Sequence, residues 1–137
     1  MTKLILGIVF TWLIVNILKP IIKWKKAGKF EKRFLVEDGG MPSGHTSWVA
    51  PLATGMYLET GFSYYFIISV VITLNVVYDA ISVRPKIGRQ ARTLNKLIEG
   101  RERRVEKLEE SVGHTPSEVL VSLVLSVIIP LAIYKIF

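Results

Sequence analysis

Apolar residues along this chain gather into long runs separated by shorter polar and basic stretches. The first, Leu4 to Leu18, is about 15 residues bounded by Lys3 and Lys19. Extension through Pro20-Ile21-Ile22 brings it to the ~20 residues that cross a bilayer. The strongest run is Phe62 to Val83, about 22 residues of mostly Tyr, Phe, Ile and Val, with Asn75 and Asp79 as its only strongly polar side chains. Val119 to Phe137 approaches that length if it begins at Pro116, which suits the first turn of a helix. The run from Ser43 to Tyr57 is weaker, diluted by Ser47, Thr54 and Pro51, but small and hydroxylated residues let helices approach closely inside a membrane bundle. The pattern predicts an all-α integral membrane helical bundle, a single domain over 1–137, with about four transmembrane helices near 3–22, 43–58, 62–83 and 116–137.

Charge sharpens this picture. Half the 137 residues are apolar, and the mean hydropathy of +0.41 is high for a chain in which 21% of residues are charged. The charge must therefore be segregated. Of 18 Lys and Arg, seven lie between Lys19 and Arg33 and nine between Arg84 and Lys107, leaving only Lys3 and Lys135. Four alternating spans put both basic segments, 19–42 and 84–114, on one face, and the positive-inside rule makes that face cytoplasmic in a multi-pass protein of the cell membrane. Both termini then point outward. The first run is expected to be a retained helix, because no small-residue cleavage pattern follows it and the basic cluster lies on its C-terminal side. The absence of cysteine excludes disulfides and thiolate metal sites.

Between Gly88 and Ser111 the sequence turns polar, with Leu94, Leu97, Ile98, Val105 and Leu108 at helical spacing. Two readings fit: an amphipathic helix at the membrane interface or against a partner, or a solvated hairpin of two short helices broken at Gly100.

The candidate chemistry lies in the two histidines. His45 ends Pro42-Ser43-Gly44-His45, and His114 opens His114-Thr115-Pro116-Ser117-Glu118, each in a tight turn at the mouth of an apolar run. A Ser-Gly turn opening a helix offers unpaired backbone N–H groups and a positive dipole end, which suit an anion. The alternating topology brings His45, Asp79, Arg84, His114 and Glu118 to the same end of the bundle. Asp79 below Arg84 reads as a partner for a cation, since ionisable groups at membrane depth are costly. Glu118, four residues after His114, can reach back to one imidazole nitrogen, fix the tautomer and raise the basicity of the other. Two imidazoles at an anion site can divide the work of nucleophile and general acid.

At Gly39-Gly40-Met41-Pro42-Ser43-Gly44-His45-Thr46, Tyr78-Asp79-Ala80, Val83-Arg84, Gln90-Ala91, Leu94-Asn95 and Gly113-His114-Thr115-Pro116-Ser117-Glu118-Val119, the chain resembles the type 2 phosphatidic acid phosphatases. These membrane lipid-phosphate phosphatases are related to the vanadium haloperoxidases, and the likeness is closer to their small divergent branch. The resemblance implies that His114 is the nucleophile, Glu118 its orienting carboxylate, His45 the general acid, and Ser43 and Gly44 ligands of phosphate oxygens. It also implies that neither metal nor cofactor is needed. The larger members carry a Lys and an Arg-Pro pair upstream of Pro-Ser-Gly-His, whereas the only Arg-Pro here, Arg84-Pro85, lies downstream. They also have an arginine where this chain has Leu108, and an aspartate where it has Glu118. The expected clamp is therefore rebuilt around Arg84, with Asp79 orienting it and Arg89 and one or two of Lys23, Lys26 and Arg33 assisting.

These readings lead to a lipid phosphatase that hydrolyses a phosphomonoester or diphosphate through a phosphohistidine, with its site facing the cytoplasm. Phosphatidylglycerol phosphate, phosphatidic acid and a polyprenyl diphosphate all fit as substrates. The alternative is a non-enzymatic membrane protein that binds anionic headgroups or a partner through its basic face. A metal site built from His45, His114, Asp79 and Glu118 is a third reading, disfavoured by the surrounding positive charge. The expected partners are the bilayer and the lipid phosphate, with a second copy in a homo-oligomer as a further candidate, and no nucleic acid.

Overall fold

In a computed structural model, described for residues 1–35, 39–99 and 106–137, the chain forms α1 (Thr2–Ala27), a 3-10 turn (Lys32–Leu35), α2 (Gly44–Thr60), α3 (Tyr64–Tyr78), α4 (Arg84–Ile98) and α5 (Pro116–Ile136). A π turn, Asp79–Val83, joins α3 to α4. Tyr64–Ile98 is thereby one continuous helix of 35 residues. The Arg33 side chain, Gly100 and Val105 lie outside the described residues.

Among the described residues, three helices are long and apolar enough to cross a membrane: α1, the α3–α4 helix and α5. The fourth expected span, α2, has 17 residues and so measures about 25 Å, short of a ~30 Å hydrocarbon core. It is instead the central element, packed against α1, α3 and α5. Its length matters less there, because three helices pack against it.

The burial pattern is inverted relative to a water-soluble protein. Ile67, Ile68, Val71, Ile72 and Leu74 of α3 are exposed, while Ser69 and Thr73 face inward. Ser122, Ser126 and Pro130 are the buried ridge of α5, and Ser47, Ala50, Pro51 and Gly55 that of α2. Small residues let backbones approach, and hydroxyls then bridge them: Thr54 Oγ1 donates to the Ser126 carbonyl at 2.9 Å, and Ser122 Oγ to the Ser43 carbonyl at 3.0 Å. A Cβ on Gly7 would meet Pro130 at 3.3 Å, so α1 and α5 cross at close range. An apolar exterior over a small, hydroxylated interior is what an all-α membrane bundle requires, since lipid solvates the large side chains.

Helix ends follow from local signals. Ser43 caps α2, and Thr115 caps α5 in a reciprocal capping box with Glu118. At the bundle end away from the histidines, the Tyr134 hydroxyl donates to Glu59 at 2.9 Å.

Of the two readings of Gly88–Ser111, the first helical half common to both is present as α4, and no helix covers 106–111. α4 ends at Ile98, and 106–115 run without helix back along it. The packed face of α4 is Gly88, Ala91 and Asn95, whereas Leu94 and Leu97 are exposed. Asn95 explains why the return segment needs no helix of its own. Its Oδ1 accepts from the Leu108 N–H at 2.9 Å, and its Nδ2 donates to the Leu108 carbonyl at 2.9 Å and to Glu110 Oε1 at 2.8 Å. A Cβ on Gly88 would sit 2.7 Å from the Glu110 carbonyl oxygen, so only glycine admits this approach.

Candidate active site

The site grows from a proline. Pro85 has no N–H and cannot continue a regular ladder, and the helix widens just before it. Within the widened turn the Arg84 N–H reaches the Asp79 carbonyl, five residues back. The carbonyl five residues before Pro85 is that of Ala80, and it accepts the His114 N–H at 3.0 Å. The same proline therefore shapes the turn that carries Arg84 and leaves the carbonyl that anchors His114. Gly113, at φ 109, makes the approach possible: a Cβ there would lie 2.7 Å from the Pro85 nitrogen.

Two hydrogen-bonded groups result. In the first, Arg84 Nε donates to Asp79 Oδ2 at 2.8 Å and Arg84 Nη2 donates to His45 Nε2 at 3.2 Å. Guanidinium only donates, so His45 offers a lone pair at Nε2 and carries its proton on Nδ1 in this arrangement. In the second, His114 Nδ1 donates to Glu118 Oε2 at 3.2 Å, which also accepts the Thr115 N–H at 3.1 Å. The carboxylate thus serves both the helix cap and the imidazole, and it leaves the lone pair of His114 on Nε2. The His114 side chain is only 2% exposed.

Burial pushes the His114 imidazole below its ordinary value of 6.5, opposed by the Glu118 hydrogen bond and charge and reinforced by Lys19 and His45. Glu118 does raise the basicity, as its spacing suggested, but burial outweighs it. The imidazole is consequently neutral, with a lone pair available, at physiological pH.

Ser43 is fully buried and works within the fold. Its hydroxyl accepts from the Thr46 N–H at 3.4 Å and Thr46 Oγ1 at 3.1 Å, and its own N–H donates to the Glu118 carbonyl at 3.3 Å. It ties the start of α2 to the start of α5 and so fixes the two histidine turns relative to each other. Gly44 follows, with open space where a Cβ would stand.

The two histidines share one end of the bundle but line two cavities. His45 and Gly44 line a cavity of about 400 Å³ with Trp12, Asn16, Lys19, Trp48, Val49 and Val76. His114 and Glu118 line another, of about 390 Å³, with Arg89, Arg92, Glu110 and the glycines Gly39, Gly40 and Gly88. Arg89 is therefore on the His114 side, exposed. Lys23 packs near Gly40, whose Cβ would meet its Cε at 2.6 Å. Lys26 is exposed on the last turn of α1 and lines neither cavity. Glu110 is held below the usual carboxylate range by hydrogen bonds from Asn95 and Arg92.

Sequence reasoning counted Lys19 only as part of a basic cluster, yet it is buried at 9% exposure on the face it shares with Trp12 and Asn16. The signal was its register: positions 12, 16 and 19 fall on one stripe of a helix. The four-residue metal set does not assemble either. Among the described residues no group of three or more His, Cys, Asp or Glu is placed to hold a metal ion.

Comparison with known proteins agrees with this architecture. Residues 2–129 match the family described as the Divergent PAP2 family. The chain is 31% identical over 120 residues to the membrane protein YuiD of Bacillus subtilis (strain 168), itself uncharacterized, with 76% of each chain covered. No solved structure matches.

Proposed function

The chain belongs to the divergent PAP2 family, and on that footing we propose that it is a membrane phosphatase that hydrolyses a phosphomonoester or diphosphate of a lipid through a phosphohistidine on His114. The observation that carries this reading is the buried His114–Glu118 pair, anchored through Ala80 to the turn that holds Arg84 against His45.

In the first step His114 Nε2 attacks phosphorus while the bond to the leaving oxygen breaks. The phosphate displaces the His45 lone pair from Arg84 Nη2, and His45 takes the proton that a monoanionic phosphate brings and passes it to the leaving oxygen. In the second step water attacks the phosphohistidine, His45 takes the water proton, the P–N bond breaks and phosphate is released. Charge spreads over three equatorial oxygens in such a transfer, so preorganised donors supply most of the stabilisation. Arg84 is the principal donor, held in a fixed plane by Asp79. The Gly44 N–H, at the positive end of α2, adds a second, and Arg89 adds charge from the His114 side. Ser43 contributes by fixing the start of α2. The reading needs no metal or cofactor. It places the site on the cytoplasmic side, because the basic segments cluster at this end, and phosphatidylglycerol phosphate, phosphatidic acid and polyprenyl diphosphates remain its substrate candidates.

Purified protein reconstituted in vesicles is expected to release phosphate from lipid phosphates in the presence of a chelator, and His114→Ala is expected to abolish release. Release that survives in His114→Ala overturns the mechanism. Headgroup binding without turnover, unchanged in His45→Ala and His114→Ala, would establish the non-enzymatic alternative.

A further inference from the structure

We propose that the cavity on the His45 side holds the hydrocarbon tail of an amphiphilic phosphate, and that the cavity on the His114 side is the aqueous one, through which water enters and phosphate leaves. Only the direction of chemistry in this inference rests on the phosphatase reading. The occupancy of the cleft stands separately.

The walls of the first cavity are graded. Trp12, Trp48 and Val76 are apolar, and Lys19 and His45 are its basic and ionisable members. Along α1, Trp12, Asn16 and Lys19 follow one stripe, rising about 10 Å from the middle of the apolar run to its basic end. This gradient from hydrocarbon to cation is the one an alkyl phosphate presents in reverse.

The cleft also opens sideways. Trp12 and Trp48 are 39% and 51% exposed and meet edge to face at 5.5 Å between ring centroids. Trp12 stands on α1 among the exposed apolar side chains Phe10, Leu13 and Ile17, so the cleft opens on a lipid-facing surface. A lipid tail can enter there without its headgroup leaving the membrane surface.

The second cavity is the more polar of the two. Arg89, Arg92, Glu110 and Thr115 line it, and the return segment 106–115 and the Gly39-Gly40 turn supply much of its wall. It offers charges and peptide groups, and a smaller share of its wall is apolar than in the first cavity.

Phosphoryl transfer joins the two. Attacking and leaving groups lie roughly in line through phosphorus. A nucleophile reached from one cavity and an acid reached from the other satisfy that demand if phosphate sits between them. The leaving oxygen and its tail then belong with His45, and the phosphoryl group, once on His114, faces the polar cavity from which water comes.

The test uses full-length protein in phosphatidylcholine vesicles and dodecyl phosphate carrying a photoreactive diazirine on its chain. Labelling is expected on the peptides containing Trp12–Lys19 and Gly44–Val49, reduced at least fivefold by excess dodecyl phosphate but not by butyl phosphate. Val76→Trp, which fills the cleft, is expected to reduce the displaceable label to a similar degree. Label that is not displaceable, or that falls on the His114 peptide instead, overturns the proposal. In turnover, kcat/KM for dodecyl phosphate is expected to exceed that for butyl phosphate by tenfold or more, with the ratio collapsing in Val76→Trp. Should Val76→Trp fail to fold, labelling of the unsubstituted protein decides. Displaceable labelling without phosphate release from any alkyl phosphate refutes hydrolysis and leaves the cleft standing; release without chain-length preference does the reverse.

Discussion

Asp79 and Arg84 form an ion pair at 2.8 Å although five residues separate them on one helix. In a regular α-helix positions five apart point about 140° away from each other. The π turn closes that angle, because a bond from the Arg84 N–H to the Asp79 carbonyl brings the fifth residue back over the first. The pair is thus a product of backbone register as much as of charge.

Arg84→Lys is expected to keep the charge and lose the fork. An ammonium cannot hold Asp79 and a phosphate oxygen in one plane, and a charge-assisted hydrogen bond is worth about 1.5–3 kcal/mol, so kcat/KM should fall roughly tenfold to a hundredfold. Steady-state phosphate release measures it. Unchanged turnover would remove Arg84 from the clamp.

Pro85→Ala is expected to restore an N–H that competes with His114 for the Ala80 carbonyl and lets the wide turn relax. Activity should drop while the melting temperature holds or rises, since alanine suits a helix better than proline. Circular dichroism melts alongside turnover separate the two effects.

The pH profile should carry the signature of His114. Its folded value is depressed, so the folded protein binds this proton less readily than the unfolded chain. The associated stability is present above the ordinary value of 6.5 and is lost as pH falls through the lower, folded value. Activity should follow the same side, with the acid limb of kcat/KM below 6.5. Glu118→Gln removes the contribution that opposes burial and moves that limb lower still. Glutamine can still complete the capping box, so the melting temperature should change little. A limb that does not move would detach Glu118 from the nucleophile.

With p-nitrophenyl phosphate, whose leaving group needs no acid, His45→Ala is expected to complete the first step and stall at the second. A burst of about one p-nitrophenolate per site, with alkali-stable, acid-labile phosphate on His114, would follow from a base-dependent hydrolysis of the phosphohistidine. Rapid-mix kinetics and peptide mapping read both.

Asn95→Ala should release the return segment. It removes three hydrogen bonds from a buried amide and leaves the Leu108 peptide groups without their partner, which costs about 1–3 kcal/mol. Hydrogen exchange at Leu108 should accelerate, and turnover should fall because the segment delivers His114.

The membrane helices were legible from the sequence because transfer of a side chain into lipid is a local, nearly additive property, and runs of apolar residues record it directly. The same holds for the end of the bundle that carries the basic segments, and for the His114–Glu118 contact, which a four-residue helical spacing at a capping box defines. The sequence also set the family, through motifs whose order survives without any geometry. Tertiary structure alone decided the rest. It made α2 a central helix, set Ser43 inside the fold, turned the glycine and asparagine face of α4 inward, and buried Lys19. It also separated the two histidines into different cavities. These outcomes depend on backbones that approach closely, as Gly7 does Pro130 and Gly88 does Glu110, and on the Ala80 carbonyl meeting the His114 N–H. Such features arise from groups far apart in the chain, so no one-dimensional pattern carries them.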